Sequence, residues 1–234
     1  MSLGVPIEPS PREPKAIRSK DGWPVTSIIT VAPAQLDNSV KFLDVISGRR
    51  TTRKCVPMDL RDTLSFVQMA MRPCQTGTGP NSGRLRKFSV SAGALHPIEV
   101  LVVAGPDVSE PIIYLDACNS FGTVPFRSAE LFEKELDDLL KIVPASGHHL
   151  LFVANQRHVA QAYERPISLL WRDAGAVLQT FSILAAASDC SFIPLGTTGA
   201  AILDSLSAPH TDYLAVGTAL IGKAPTRAAG AFSG

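Results

Sequence analysis

The chain has 234 residues, 45% of them hydrophobic and 18% charged, and a formal net charge of +1. This is the make-up of a soluble globular protein with room for a substantial core, and so small a net charge supplies no general pull toward nucleic acid or a membrane surface. Cys55, Cys74, Cys118 and Cys190 stand far apart with no Cys-x-x-Cys pair, which speaks against a zinc knuckle and gives little support to a disulfide framework.

The first residues lack the basic-then-apolar pattern of a signal peptide. The most apolar uncharged run, Ala174 to Ser188, falls short of the roughly 20 residues a membrane helix needs. A cytoplasmic protein that does not associate with membranes is expected. Residues 1–36 read as an extended N-terminal tail, since Pro6, Pro9, Pro11, Pro14 and Pro24 break any helix. Residues 37–234 read as one domain.

From Asp37 the spacing of Val40, Phe42-Leu43 and Ile46 predicts a short helix stopped by Gly48. Asp59 is placed to cap a second helix that ends before Pro73. Residues 75–87 form a loop rich in Gly, Thr and Ser, suited to a rim or lid. Strands are predicted at 98–104 and 111–115, a charged helix at 128–141, a strand from Leu150 to Ala154, the longest helix from Ile167 to Ala187, a short helix near 199–206 and a last strand at 213–221. Strands and helices alternate without a tight βαβ rhythm, so an α+β sandwich fits best. The helix at 167–187 is apolar nearly all round and must be buried nearly all round. A central core position explains that, and packing of part of it against a second subunit is compatible with it.

Three stretches carry chemistry. Gly48-Arg49-Arg50-Thr51-Thr52-Arg53-Lys54 sets four cations and two hydroxyls at the end of a helical segment. Guanidinium forks and short hydroxyls suit a phosphate monoester, although a solvated basic turn accounts for the cluster taken alone. Ser91-Ala92-Gly93-Ala94 runs into the apolar strand at 98–104, and a backbone with so little side-chain bulk can lie flat against a rigid planar cofactor. Phe192-Ile193-Pro194-Leu195-Gly196-Thr197-Thr198-Gly199 reads as a second small-residue turn after the long helix, although a plain loop into the next helix accounts for it taken alone.

Other signals fail. The glycines of 77–83 miss both the dinucleotide fingerprint and the P-loop. His148 and His149 would point to opposite faces of a strand and find no acidic partner at ligand spacing, so no metal is expected. Ser91 and His96 lack a nucleophile elbow. His96 titrates near neutrality and is a candidate acid, though a structural role fits it better. The basic runs at 49–54 and 84–87 have little aromatic interleaving, which argues against nucleic acid.

In order along the chain, the Arg-Arg-Thr-Thr-Arg box, the Ser-Ala-Gly-Ala-Leu-His-Pro bend, the Trp-Arg-Asp-Ala-Gly-Ala-Val-Leu-Gln-Thr helix and the Ile-Pro-Leu-Gly turn resemble the FMN-dependent nitroreductase family. Within it the sequence is most similar to the SagB-type oxazoline/thiazoline dehydrogenase branch. The resemblance covers residues 38–225. It implies an α-β-α sandwich around a mostly antiparallel sheet, an intertwined homodimer and two FMN at the subunit interface.

Carried over by position, it assigns Arg49, Arg50, Thr51 and Arg53 to the FMN phosphate and ribityl chain, and Ser91, Ala92, Gly93 and Ala94 to the isoalloxazine. It assigns Leu195 and Gly196 to the redox-active edge, and Lys223 or Arg227 to completing the phosphate site. The implied activity is hydride and electron transfer through flavin N5, between NAD(P)H or a substrate C–H and a small acceptor, with a small-molecule or peptide substrate. The sequence departs from the family in two places. Ala94 stands where many nitroreductases have asparagine, and Ala162 precedes Tyr163 where azoline-oxidising members carry a Lys-Tyr pair. A flavin- or partner-binding homologue with reduced turnover, working in a peptide-tailoring system, is the alternative.

Overall fold

The computed structural model describes residues 8–13, 18, 20, 22–37, 39–51, 54–76, 85–142 and 146–225. Its elements in chain order are β1 (Ser10–Pro11), β2 (Ile28–Ile29), α1 (Phe42–Gly48), α2 (Leu60–Met71), β3 (Gln75–Thr76), β4 (Leu85–Arg86), β5 (Ile98–Ala104), β6 (Ile112–Leu115) and β7 (Ser120–Thr123). They continue with α3 (Ala129–Ile142), β8 (His148–Asn155), α4 (Gln156–Ala160), β9 (Tyr163–Glu164), α5 (Ile167–Ala187), β10 (Cys190–Pro194), α6 (Ala200–Asp204) and β11 (Tyr213–Lys223).

A seven-stranded sheet, ordered β10-β11-β8-β5-β6-β7-β2, forms the middle layer, and all of its neighbouring strands are antiparallel. Every residue of β5 and β8 is buried, so both faces of the central strands must be covered by other elements. Ile98, Val100 and Val102 face α2 and α5 in one core, while Leu101 and Val103 face α3 and α6 in the other. The molecule is therefore the expected α-β-α sandwich.

The helices follow from their spacing. In α5 the buried residues are Leu169, Leu170, Asp173, Ala174, Val177, Phe181, Leu184 and Ala185, a continuous stripe at three- and four-residue intervals. Phe181 lies edge-on to Phe66 of α2 and Phe152 of β8. In α3, Phe132 and Leu139 are buried, and Ser128 accepts the Leu131 N–H at the helix start.

Some segments differ from expectation. Residues 192–194, expected to open a small-residue turn, belong instead to the edge strand β10. Its Pro194 is tolerated there because an edge strand has one side free of ladder hydrogen bonds. Within the N-terminal 36 residues, Trp23 is buried and donates its indole N–H to Glu99 at 2.6 Å. Ile28 and Ile29 pair with β7 as the opposite sheet edge. Of the loop expected at 75–87, residues 77–84 lie outside the described residues.

Candidate functional site

The Ser91–Ala94 bend enters the sheet at the start of β5. Gly93 (φ 60°), Ala94 (φ 55°) and His96 (φ 48°) all adopt left-handed backbone conformations, which costs a non-glycine residue about 1–2 kcal/mol. The surroundings hold that conformation in place. Asp173, on the second turn of α5, accepts the Ser91 hydroxyl at 2.5 Å and the Ala92 N–H at 3.3 Å. The Ser91 hydroxyl in turn accepts the His96 N–H at 2.8 Å. Burial pushes the Asp173 carboxyl up, and the bonds to Ser91 and Ala92 pull against it. Gly93 also needs its missing side chain, since a Cβ there would come 3.2 Å from the Tyr163 hydroxyl.

The Nε2 of the His96 ring meets the Leu85 carbonyl at 2.9 Å. Burial first, then the charge of Lys87, lowers its pKa to about 4. The ring is neutral at physiological pH and already engaged, so the structure gives it a packing role.

Beneath the bend is a small cleft lined in part by Lys87, Ser89, Ser91, His96 and Asp173. Lys87 leads into a network that the sequence reading missed. Asp116 binds Lys87 at 2.5 Å and Lys20 at 2.9 Å. Lys20 also lies 3.8 Å from Glu99, which takes the Trp23 N–H and the Tyr213 hydroxyl. Burial draws Lys87 down to about 8 despite Asp116. For Asp116, burial is outweighed by the two ammonium groups, leaving it at about 2. Burial holds Glu99 above its ordinary range, against Lys20.

The cationic segment lies elsewhere. Arg49 follows α1, and its N–H closes the helix on the Val45 carbonyl at 2.9 Å. Arg50 binds the carbonyls of Ser47 and Arg49, each at 2.8 Å, while Arg49 reaches Thr51 Oγ1 at 3.4 Å. Arg50 and Thr51 are exposed, and Arg49 is partly so. The chain then runs to Val56, which pairs with Lys223 at the end of β11. Gly222 permits this approach, because a Cβ there would lie 2.7 Å from the Val56 carbonyl oxygen. Lys223 is 54% exposed, 3.7 Å from Asp62. Arg53 and Arg227 lie outside the described residues.

Leu195 and Gly196 sit between these two places. The Leu195 N–H donates to Thr218, in mid-sheet, at 2.9 Å. The bend is level with Leu214, which pairs with Ala154 opposite Ile98. From there to Lys223, at about 3.3 Å per residue, is roughly 25–30 Å. The donor set suits FMN in kind: solvent-facing guanidinium and hydroxyl groups, now bonded to one another and to nearby carbonyls, for a phosphate, and a side-chain-poor, rigidly held backbone for a flat ring. Within one chain, therefore, Lys223 and the bend lie toward opposite ends of the sheet, farther apart than a three-ring cofactor with a five-carbon phosphate arm can span, while α1, which leads into Arg49, packs against α5.

No protein-family model matches the sequence, and no curated protein matches it at a significant level. Solved structures do match. A candidate nitroreductase from Ralstonia eutropha JMP134 superposes with a TM-score of 0.65 at 18% identity, over 94% of this chain and 100% of that one. The chain has the nitroreductase fold. A second candidate nitroreductase, from Anabaena variabilis, gives a TM-score of 0.55 at 16% identity over 76% of this chain and 43% of its own. A chain of the Escherichia coli microcin synthetase McbBCD complex, solved with truncated pro-MccB17 bound, gives 0.51 at 14% identity over 91% of this chain and 79% of its own.

Two apolar surfaces flank these places on the fold. Phe42 (66% exposed) and Leu43 (76%) on α1, with Trp171 (44%) on α5, are presented to solvent in the single chain. Phe88 and Val90, just before the bend, are exposed as well. Among the described residues no helix is long and apolar enough to cross a membrane, and no three His, Cys, Asp or Glu gather as metal ligands.

Proposed function

We propose that this protein is an FMN-dependent oxidoreductase acting as a homodimer, each flavin held between two copies. Arg49, Arg50, Thr51 and Arg53, with Lys223 or Arg227, would take the phosphate from one copy, and Ser91, Ala92, Gly93 and Ala94 the ring from the other. Leu195 and Gly196 would lie toward the ring edge. The observation that carries this reading is the bend itself: two consecutive left-handed residues locked by one buried carboxylate. Such preorganisation has a cost and no evident use in a merely structural turn.

When bound, FMN supplies hydride acceptance and donation at N5, between NAD(P)H or a substrate C–H and a small acceptor. The chain's own groups bind and orient. Guanidinium forks and the Thr51 hydroxyl neutralise a phosphate dianion, and the bend offers backbone to the ring while Asp173 keeps it from relaxing. The exposed residues of α1 and Trp171 are apolar enough to be covered by the second copy. Four free thiols suit the reducing cytoplasm.

A partner-binding homologue in a peptide-tailoring system is the second reading. It is favoured by Ala162 preceding Tyr163 and by the fold likeness to a chain of the McbBCD complex. Titration of the purified protein with FMN tests the main reading. Saturable binding is expected, weakened about 100-fold by Arg49→Ala, the loss of roughly 3 kcal/mol that a charge-assisted phosphate contact supplies. Undiminished binding in the variant would remove the phosphate assignment. Anaerobic bleaching by NADPH then separates the enzyme from the non-turnover homologue.

A further inference from the structure

The N-terminal segment reaches the ring end of the candidate site. Ser10 and Pro11 pair antiparallel with Glu164 and Tyr163, and the Arg12 N–H donates to the Ala162 carbonyl at 2.8 Å. Arg12 meets Glu164 at 3.5 Å, both about half exposed, and Arg165 meets Ser10 Oγ at 3.3 Å. Tyr163, directly opposite Pro11, is the residue whose hydroxyl closes on Gly93 of the bend. Residues 8–13 therefore lie behind the side chain that bounds the bend.

The strength of attachment changes sharply along this segment. The β1–β9 ribbon is separate from the seven-stranded sheet, and a two-stranded ribbon is marginal by itself. The Arg12–Glu164 pair is exposed and contributes little. A few residues on, Lys20 is held by buried Asp116, and Trp23 is buried on Glu99. The segment is thus firmly anchored at Lys20 and Trp23, tied to Gln161 Oε1 by the Arg18 N–H at 2.7 Å, and weakly attached at 8–13. This is the pattern of an element that opens locally while the core stays folded.

From this we infer that residues 8–13 form a strap that sets which acceptors reach the ring end of the site. Closed, the strap backs Tyr163 against Gly93 and admits small planar molecules. Open, it frees Tyr163 and admits larger ones. The inference rests on the flavin reading for the identity of the site, and on the chain's own contacts for the strap.

The test locks the strap with Ser10→Cys and Glu164→Cys, residues directly opposed in the register and so within disulfide reach, in a Cys74→Ser, Cys118→Ser background. With the oxidised form, kcat/KM for anthraquinone-2-sulfonate is expected to fall about tenfold, equivalent to about 1.4 kcal/mol, while that for duroquinone, a single-ring quinone whose ring carbons are all blocked to thiols, holds; reduction with dithiothreitol, followed by its removal, restores the anthraquinone-2-sulfonate value. Hydrogen exchange gives a readout independent of turnover. The Arg12 amide of the unmodified protein should exchange far faster than those of β5, and slow on locking. Equal rates with both acceptors in locked and reduced forms would overturn the strap, as would an Arg12 amide as protected as Leu101. Absence of flavin from every form would instead defeat the cofactor reading, leaving exchange at Arg12 to decide the strap.

Discussion

Asp116→Ala should be among the most damaging single changes in this protein. Asp116 is the carboxylate shared by Lys87, whose side chain is 1% exposed, and Lys20, 18% exposed. Its carboxyl falls from the ordinary 3.8 to about 2. That difference is worth about 2–3 kcal/mol at neutral pH, a contribution present above 3.8 and lost as the pH falls toward 2. Breaking a buried pair costs about 3–5 kcal/mol, because the stranded charge stays in the interior.

The two figures meet near 3 kcal/mol, a large share of a typical stability of about 5–15 kcal/mol. Lys87→Met should cost under about 1 kcal/mol. Burial already disfavours that ammonium, whose pKa is drawn to about 8, and an apolar replacement leaves Asp116 paired with Lys20. Urea unfolding at pH 7, followed by circular dichroism, measures both. A loss below about 1 kcal/mol for Asp116→Ala, the range of exposed pairs, would refute the buried bridge. So would a Lys87→Met penalty equal to that of Asp116→Ala.

Two further substitutions probe the core and the bend. His149 is buried, and among the described residues neither of its ring nitrogens has a hydrogen-bond partner; burial lowers its pKa to about 4. The unfolded chain therefore takes up its proton first, and stability falls as the pH drops from about 6.5 to 4. His149→Leu should add about 1 kcal/mol at pH 7 and about 2 kcal/mol more near pH 4.5, and parallel pH profiles in urea titrations would count against this. Gly93→Ala should cost about 1–2 kcal/mol from its left-handed backbone, and its Cβ would crowd Tyr163 at 3.2 Å. An unchanged thermal midpoint would show that the bend is not held as described.

Much of the fold was legible because it is written in local periodicity. The helix expected at 167–187 has those bounds, and the strands expected at 98–104 and 213–221 begin where predicted. β7 escaped notice because Ser120–Thr123 is too short to show alternation, and β10 because Pro194 and the glycine after Leu195 read as a turn. At the site, the bend and the cationic box stood out by composition, but the placement of Lys223 and the bend toward opposite ends of the sheet depends on strand pairing, which local pattern does not carry. The Lys20–Asp116–Lys87 bridge joins residues 96 and 29 positions apart, beyond any spacing argument. Asp173 could have been found, since it is a lone carboxylate in line with Leu170, Ala174 and Val177 on an apolar stripe.

In the proposed dimer, one flavin would draw its phosphate contacts from one chain and its ring contacts from another. The direct measurement is FMN binding by a co-expressed mixture of two differently tagged chains, one carrying Arg49→Ala and the other Ala94→Trp, purified through both tags. Each variant alone should bind FMN poorly. The mixed pair should recover one intact site beside one doubly defective site, and with it tight binding at half the wild-type capacity. A mixed pair that binds no better than its parents would place both sets of contacts in a single chain and contradict the account.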